Sequence, residues 1–169
     1  HLSIGTREYL RVLNAGGRPV ESLPVAEARK VLADVQAAVE VDLSGIDERE
    51  REIVADGHAL TLHLVRPHGS RGRLPYFVFI HGGGWVLGDY PTHRRLIRDL
   101  VVESEVAAVF VDYTPSPEAK YPQAVDEIYA AVKWVAENDA ELDLDRRRMA
   151  LVGNSAGGNM ALAAALLAK

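Results

Sequence analysis

Met149-Ala150-Leu151-Val152-Gly153-Asn154-Ser155-Ala156-Gly157-Gly158 is the stretch on which the fold turns. Its first four residues are a short apolar run of the kind buried in a sheet, and the residues from 155 to 168 read as a helix. Between the two stands Gly-x-Ser-x-Gly. A turn that sharp holds Ser155 in strained backbone geometry and leaves no room for side chains two positions to either side, which Gly153 and Gly157 satisfy. A serine placed this way projects its hydroxyl above the sheet at a helix N-terminus, where free N–H groups and the helix dipole favour developing negative charge. The N–H of Ala156 is one such donor. On its own the serine could also be a plain helix N-cap.

Working outward, a second motif agrees with the first. Tyr76-Phe77-Val78-Phe79-Ile80 is an unbroken apolar run, typical of a parallel strand covered on both faces, and it leads directly into His81-Gly82-Gly83-Gly84-Trp85. Three glycines allow the loop to turn its amides toward a point shared with Ser155, and Gly83 and Gly84 are the donor candidates. Helical stripes at Leu96, Ile97, Leu100 and Val101 and at Val125, Ile128, Val132 and Val135 alternate with a buried strand at 106–111. Upstream, residues 51–55 and 59–65 read as an antiparallel hairpin closed at Asp56-Gly57. The order predicts an α/β fold: a mostly parallel, doubly wound sheet with helices on both faces. Two opening helices stand outside this alternation. The first, at 6–15, presents Tyr9, Leu10 and Leu13, and the second, at 24–39, presents Ala28, Val31, Leu32, Val35 and Val39; Gly16-Gly17-Arg18-Pro19 separates them. The expected division is therefore cap helices over residues 1–45, covering the sheet's C-terminal edge, and an α/β core over residues 46–169.

Composition narrows the chemistry. A chain of 169 residues with a formal charge of -5 and no long like-charge block has no electrostatic footprint for nucleic acid or an anionic membrane. The short run Arg146-Arg147-Arg148 reads as a solvated loop. With no cysteine, a disulfide framework, a thiolate nucleophile and sulfur redox chemistry are excluded, and a reducing cytoplasm is the expected location. No stretch approaches the roughly 20 apolar residues needed to span a bilayer, and no signal-type segment opens the chain. The first residue is His1 rather than Met, which suggests a trimmed start. The spacings G-x-G-x-x-G and G-x-x-x-x-G-K-[ST] are both absent, so no cofactor is expected. His58, His63 and His68 invite a metal reading, but five-residue spacing along a strand sends successive side chains to opposite faces, and no metal is expected.

The two motifs resemble those of the hormone-sensitive-lipase-like bacterial esterases, of the α/β-hydrolase superfamily. In that family His-Gly-Gly-Gly precedes an aromatic residue, here Trp85, and Gly-Asp-Ser-Ala-Gly-Gly holds the nucleophile, here with Asn154 in place of Asp. The stretches Asp112-Tyr113-Thr114-Pro115-Ser116-Pro117-Glu118 and Tyr121-Pro122-Gln123-Ala124-Val125-Asp126 are similar to the family's segment between them, with departures at 114–116. The resemblance covers nearly the whole chain. It implies a serine carboxylesterase acting on short-chain acyl esters, with Ser155 as nucleophile, Gly83, Gly84 and Ala156 as oxyanion donors, and His81 and Gly82 supporting the loop. Asn154 removes a charge beside the nucleophile but keeps a hydrogen-bonding side chain, so tuning rather than loss of function is expected.

The fold's chain order places the triad acid and then its histidine after the serine. Of the fourteen residues after Ser155, none is Asp, Glu or His. The 169 residues are therefore expected to be one piece of a longer esterase, inactive or very weak alone, with the Met149 strand left as an apolar sheet edge that favours self-association or pairing with a missing C-terminal half. Two other functions share the motifs: an amidase or formamidase of the same fold, and a non-catalytic hydrolase-fold protein that binds a small ligand.

Overall fold

The computed structural model describes residues 2–15 and 18–169, so that Gly16 and Gly17 of the expected separator lie outside the described residues. Helix α1 (Ile4–Leu13), a 3-10 turn (Val20–Ser22) and α2 (Val25–Ala37) precede β1 (Ile46–Ala55), β2 (His58–Pro67) and β3 (Leu74–Ile80). Then α3 (Tyr90–Ser104), β4 (Ala107–Asp112), α4 (Gln123–Glu137), β5 (Leu144–Gly153) and α5 (Ala156–Leu167) alternate. The strands form one sheet in the order β1-β2-β4-β3-β5.

Parallel pairing is confined to β4-β3-β5, while β1-β2 and β2-β4 are antiparallel, so the sheet is mixed. The hairpin closes where expected: Asp56 (φ 47°) and Gly57 (φ 86°) are both left-handed, the geometry that matches the twist of paired strands. Because β2 returns antiparallel along β1 and then joins β4, the parallel half begins only beyond it.

Side-chain alternation divides the core in two. On one face Tyr76, Val78 and Ile80 of β3 and Val109 and Val111 of β4 meet Ile128, Val132 and Val135 of α4 and Met160 and Ala164 of α5. On the other, Phe77, Phe79, Ala108 and Phe110 meet Ile97 and Val101 of α3. Helix α3 starts at a capping box in which Asp89 accepts from the Thr92 amide and Thr92 Oγ1 accepts from the Asp89 amide, with Pro91 in its first turn.

One local expectation needs correcting. Arg146, Arg147 and Arg148 are solvated, but they lie in β5 rather than in a loop. The register slips there, from Leu74↔Leu144 to Tyr76↔Met149, so that the extra residues bulge outward and leave the charges in water. In the opening helices Tyr9 and Leu13 of α1 and Val31 and Val35 of α2 are exposed, Leu10 and Leu32 are half-buried, and Ala28 is buried. These helices do not fold onto the sheet's own core. Instead α2 lies against α3 and is fastened by one arginine to the loops after β3 and β4.

Candidate active site

Strand register brings the two motifs together. Ile80 is paired with Gly153 at the C-terminal ends of the adjacent parallel strands β3 and β5. The chain beyond Ile80 is the His81 loop and the chain beyond Gly153 is the serine turn, so the two leave the sheet side by side. That edge is where open α/β sheets place their ligand sites.

The serine turn has the strain its spacing implied. Ser155 has φ 53° and ψ −123°, a backbone region costly for a residue with a Cβ. It makes no side-chain cap bond to α5, so the plain N-cap reading does not hold, and the exposed hydroxyl has no hydrogen-bond partner among the described residues. Close packing explains the flanking glycines. A Cβ on Gly157 would stand 2.0 Å from the Ile80 carbonyl oxygen, and one on Gly153 would stand 2.5 Å from the Gly157 carbonyl. Neither position admits a side chain without moving the backbone.

Across from it, the His81 loop approaches as closely. A Cβ on Gly82 would lie 2.5 Å from the Asn154 carbonyl oxygen and 3.1 Å from Ser155 Cβ. The Gly82 amide donates to Asn154 Oδ1 at 2.9 Å, so the side chain beside the nucleophile fastens the loop directly to the turn. Gly83, at φ 125°, begins a tight turn whose carbonyl accepts from the Val86 and Leu87 amides, and a Cβ there would meet the Leu87 carbonyl oxygen at 1.9 Å. With the Gly82 amide engaged, the amides of Gly83, Gly84 and Ala156 have no acceptor among the described residues.

His81 is 1% exposed and lies between two rings, stacked on Phe110 (5.5 Å between centroids, 5° between planes) and Tyr113 (4.3 Å, 12°). Its Nδ1–H donates to the Gly82 carbonyl at 2.8 Å, and the Tyr113 hydroxyl donates to the His81 carbonyl at 3.0 Å. Burial pushes its pKa below the usual histidine value, so the ring is held neutral. No hydrogen bond joins it to Ser155. The ring thus packs between Phe110 of β4 and Tyr113 just after it, with hydrogen bonds that tie it to the Gly82 carbonyl and Tyr113 to the loop backbone. Sequence reasoning passed over both, because an aromatic residue inside or just after a buried strand carries no signal beyond core packing.

A cavity of about 260 Å³ adjoins the site, lined chiefly by Trp85, Ala119, Tyr121, Val125 and Met160, with Asn159 and Ser116 at its polar side. Asn159 is one helical turn from Ser155, to whose carbonyl its amide donates. The three histidines in and just after the second hairpin strand go separate ways: His58 lies 4.0 Å from Glu127, His63 pairs with Asp112 and His68, just past the strand, with Asp47. Among the described residues, no group of three or more metal-binding side chains gathers.

Residues 77–169 match the alpha/beta hydrolase fold family, and the chain belongs to that family. Within it the similar proteins include several esterases, one of them named a carboxylesterase. A thermostable esterase from Pseudomonas putida ECU1011 superposes with a TM-score of 0.96 at 54% identity, over 99% of this chain and 53% of that one. Carboxylesterase NlhH of Mycobacterium tuberculosis is 41% identical over 121 residues, which is 71% of this chain and 38% of NlhH. An arylesterase of Saccharolobus solfataricus is 34% identical over 125 residues, 73% of this chain and 40% of its own length. The chain thus spans about half the length of the solved relatives and rather less of the curated ones. No helix among the described residues is long and apolar enough to cross a membrane.

Proposed function

We propose that this chain is the nucleophile-bearing part of a serine carboxylesterase that hydrolyses small acyl esters through an acyl-enzyme on Ser155. The observation that carries the reading is the pairing of Ile80 with Gly153, which sets an uncapped, positive-φ serine beside three unengaged amides. In the proposed reaction Ser155 Oγ attacks the acyl carbonyl as its proton passes to a histidine base, and the oxyanion is received by the amides of Gly83, Gly84 and Ala156. The tetrahedral intermediate expels the alcohol, which takes that proton, and water then releases the acid by the same route.

His81 is not proposed as that base, since its ring is buried between Phe110 and Tyr113 and makes no hydrogen bond to Ser155. The base and its orienting carboxylate are proposed to lie in sequence beyond Lys169, in keeping with relatives about twice as long. A cavity of about 260 Å³ with mainly apolar walls suits a short acyl chain or a small alcohol. The division into cap helices (1–45) and core (46–169), a cytoplasmic location, and association through the apolar β5 edge are proposed with it.

The test uses the complete protein that carries these residues. Turnover of p-nitrophenyl acetate or butyrate is expected to fall by about 10³-fold or more in Ser155→Ala. A fluorophosphonate should label Ser155 in the wild type, as read by peptide mass spectrometry. Turnover that survives the substitution unchanged would remove Ser155 from the mechanism.

A further inference from the structure

We propose that Arg29, on α2, is a positioning residue for the oxyanion loop, acting as a clamp that fixes the loop from outside the α/β core. This rests on the proposed esterase reading and deepens it.

One guanidinium joins three pieces of chain. Nε donates to the Val86 carbonyl at 2.8 Å, and one terminal nitrogen donates to the Ser116 carbonyl at 3.0 Å. Both terminal nitrogens reach the Glu118 carboxylate at 2.8 Å. The Ser116 amide donates in turn to the Trp85 carbonyl at 2.7 Å, closing a ring of contacts from Trp85 through Val86 and Arg29 to Ser116. Val86 is bound on both sides, since its own amide donates to the Gly83 carbonyl. The clamp therefore grips a residue of the same turn that carries the Gly83 and Gly84 amides. Trp85 and Ser116 also line the cavity beside Ser155.

Arg29 is the side chain through which α2 engages these loops, because the helix's apolar stripe is largely uncovered. The chemistry calls for arginine. A planar fork can bind a carboxylate with two donors and still offer others to carbonyls in fixed directions, which the point charge of a lysine cannot do. Glu118 holds the fork in plane, and the pairing keeps its carboxyl ionised, down at about 2.

The experiment compares Arg29→Ala, Arg29→Lys and Glu118→Gln with the wild type in the complete protein. kcat and KM for p-nitrophenyl acetate are expressed per Ser155 labelled by fluorophosphonate, and amide hydrogen exchange is followed over residues 83–87. Arg29→Ala is expected to lower kcat at least tenfold with KM within threefold, and to speed exchange of the Val86 and Leu87 amides by a similar factor. Arg29→Lys should recover little of the loss, and Glu118→Gln should fall between. Full rescue by lysine overturns the proposal. So does a lower melting temperature with kcat per labelled serine and exchange at 83–87 both unchanged, which would leave Arg29 a merely structural tether. If the wild type neither turns over esters nor labels at Ser155, the esterase reading fails, while the exchange arm still decides whether the clamp holds the loop.

Discussion

At Asn154 a single side chain links the two halves of the site, and its acceptor oxygen is what counts. Removing it in Asn154→Ala strands the buried Gly82 amide and should cost about 1–2 kcal/mol in urea denaturation as well as lowering turnover. Asn154→Asp keeps an acceptor at the same point and strengthens it with charge, so activity within about threefold of wild type is expected. Failure of the aspartate variant alone would show that the neutral amide has a role of its own. The buried His81 and the half-buried His93 give a second test. Burial lowers the pKa of both His81 and His93 below their unfolded value of 6.5, so the unfolded chain takes up protons first as pH falls. Their contribution to stability is therefore fully present above pH 6.5 and is lost as pH drops below it. The urea midpoint should fall between pH 7.5 and 5.5, and His93→Phe should flatten that fall. An unaltered slope would mean that the lost stability comes from elsewhere.

Among the elements, those whose burial follows one period were legible from residues alone. Helix α4 runs over the expected residues because Val125, Ile128, Val132 and Val135 share a face, and β3 was plain because it is apolar on both sides. β1 was half missed. Its first half, from Ile46 to Glu50, is mostly acids and arginine on the sheet's outer edge, where charge discourages pairing with another chain. Such a strand has no apolar signal, because its purpose is to stay in water. β5 was half missed as well, since its basic bulge interrupts the pattern. The start of α3 depends on Asp89, whose side chain takes the Thr92 amide. Asp89→Ala is expected to cost about 1 kcal/mol, measured by thermal or urea unfolding, with no change in the sheet. A loss within error would show that Thr92 and Pro91 alone suffice to start the helix.

Over the whole molecule the two edges of the sheet differ in kind. The β1 edge is charged, whereas on the β5 side Ala150 is exposed and α5 presents Leu162, Leu166 and Leu167 at 70%, 74% and 51% exposure. An apolar groove of about 310 Å³ between Tyr76, Leu100, Val106 and Val152 continues this surface on the α3 face. Residues 1–169 expressed by themselves should therefore self-associate with rising concentration, as size-exclusion chromatography or sedimentation would show, and Leu162→Lys with Leu166→Lys should shift them toward monomer. A wild-type segment that stays monomeric at high concentration would rule this surface out as a site of association.

The sequence by itself determined the two motifs of the candidate site. The Ser155 turn and the His81 loop are local, since each needs small residues at fixed spacing around a sharp bend, and that requirement is written in consecutive positions. It also determined the alternation of strands and helices, through apolar periodicity. Only the tertiary structure decided what these pieces do together. The pairing of Ile80 with Gly153, the bond from Gly82 to Asn154, and the reach of Arg29 to Val86, Ser116 and Glu118 join residues 57 to 89 positions apart. Strand order and register set such contacts, and both depend on how two faces of one sheet are covered at once.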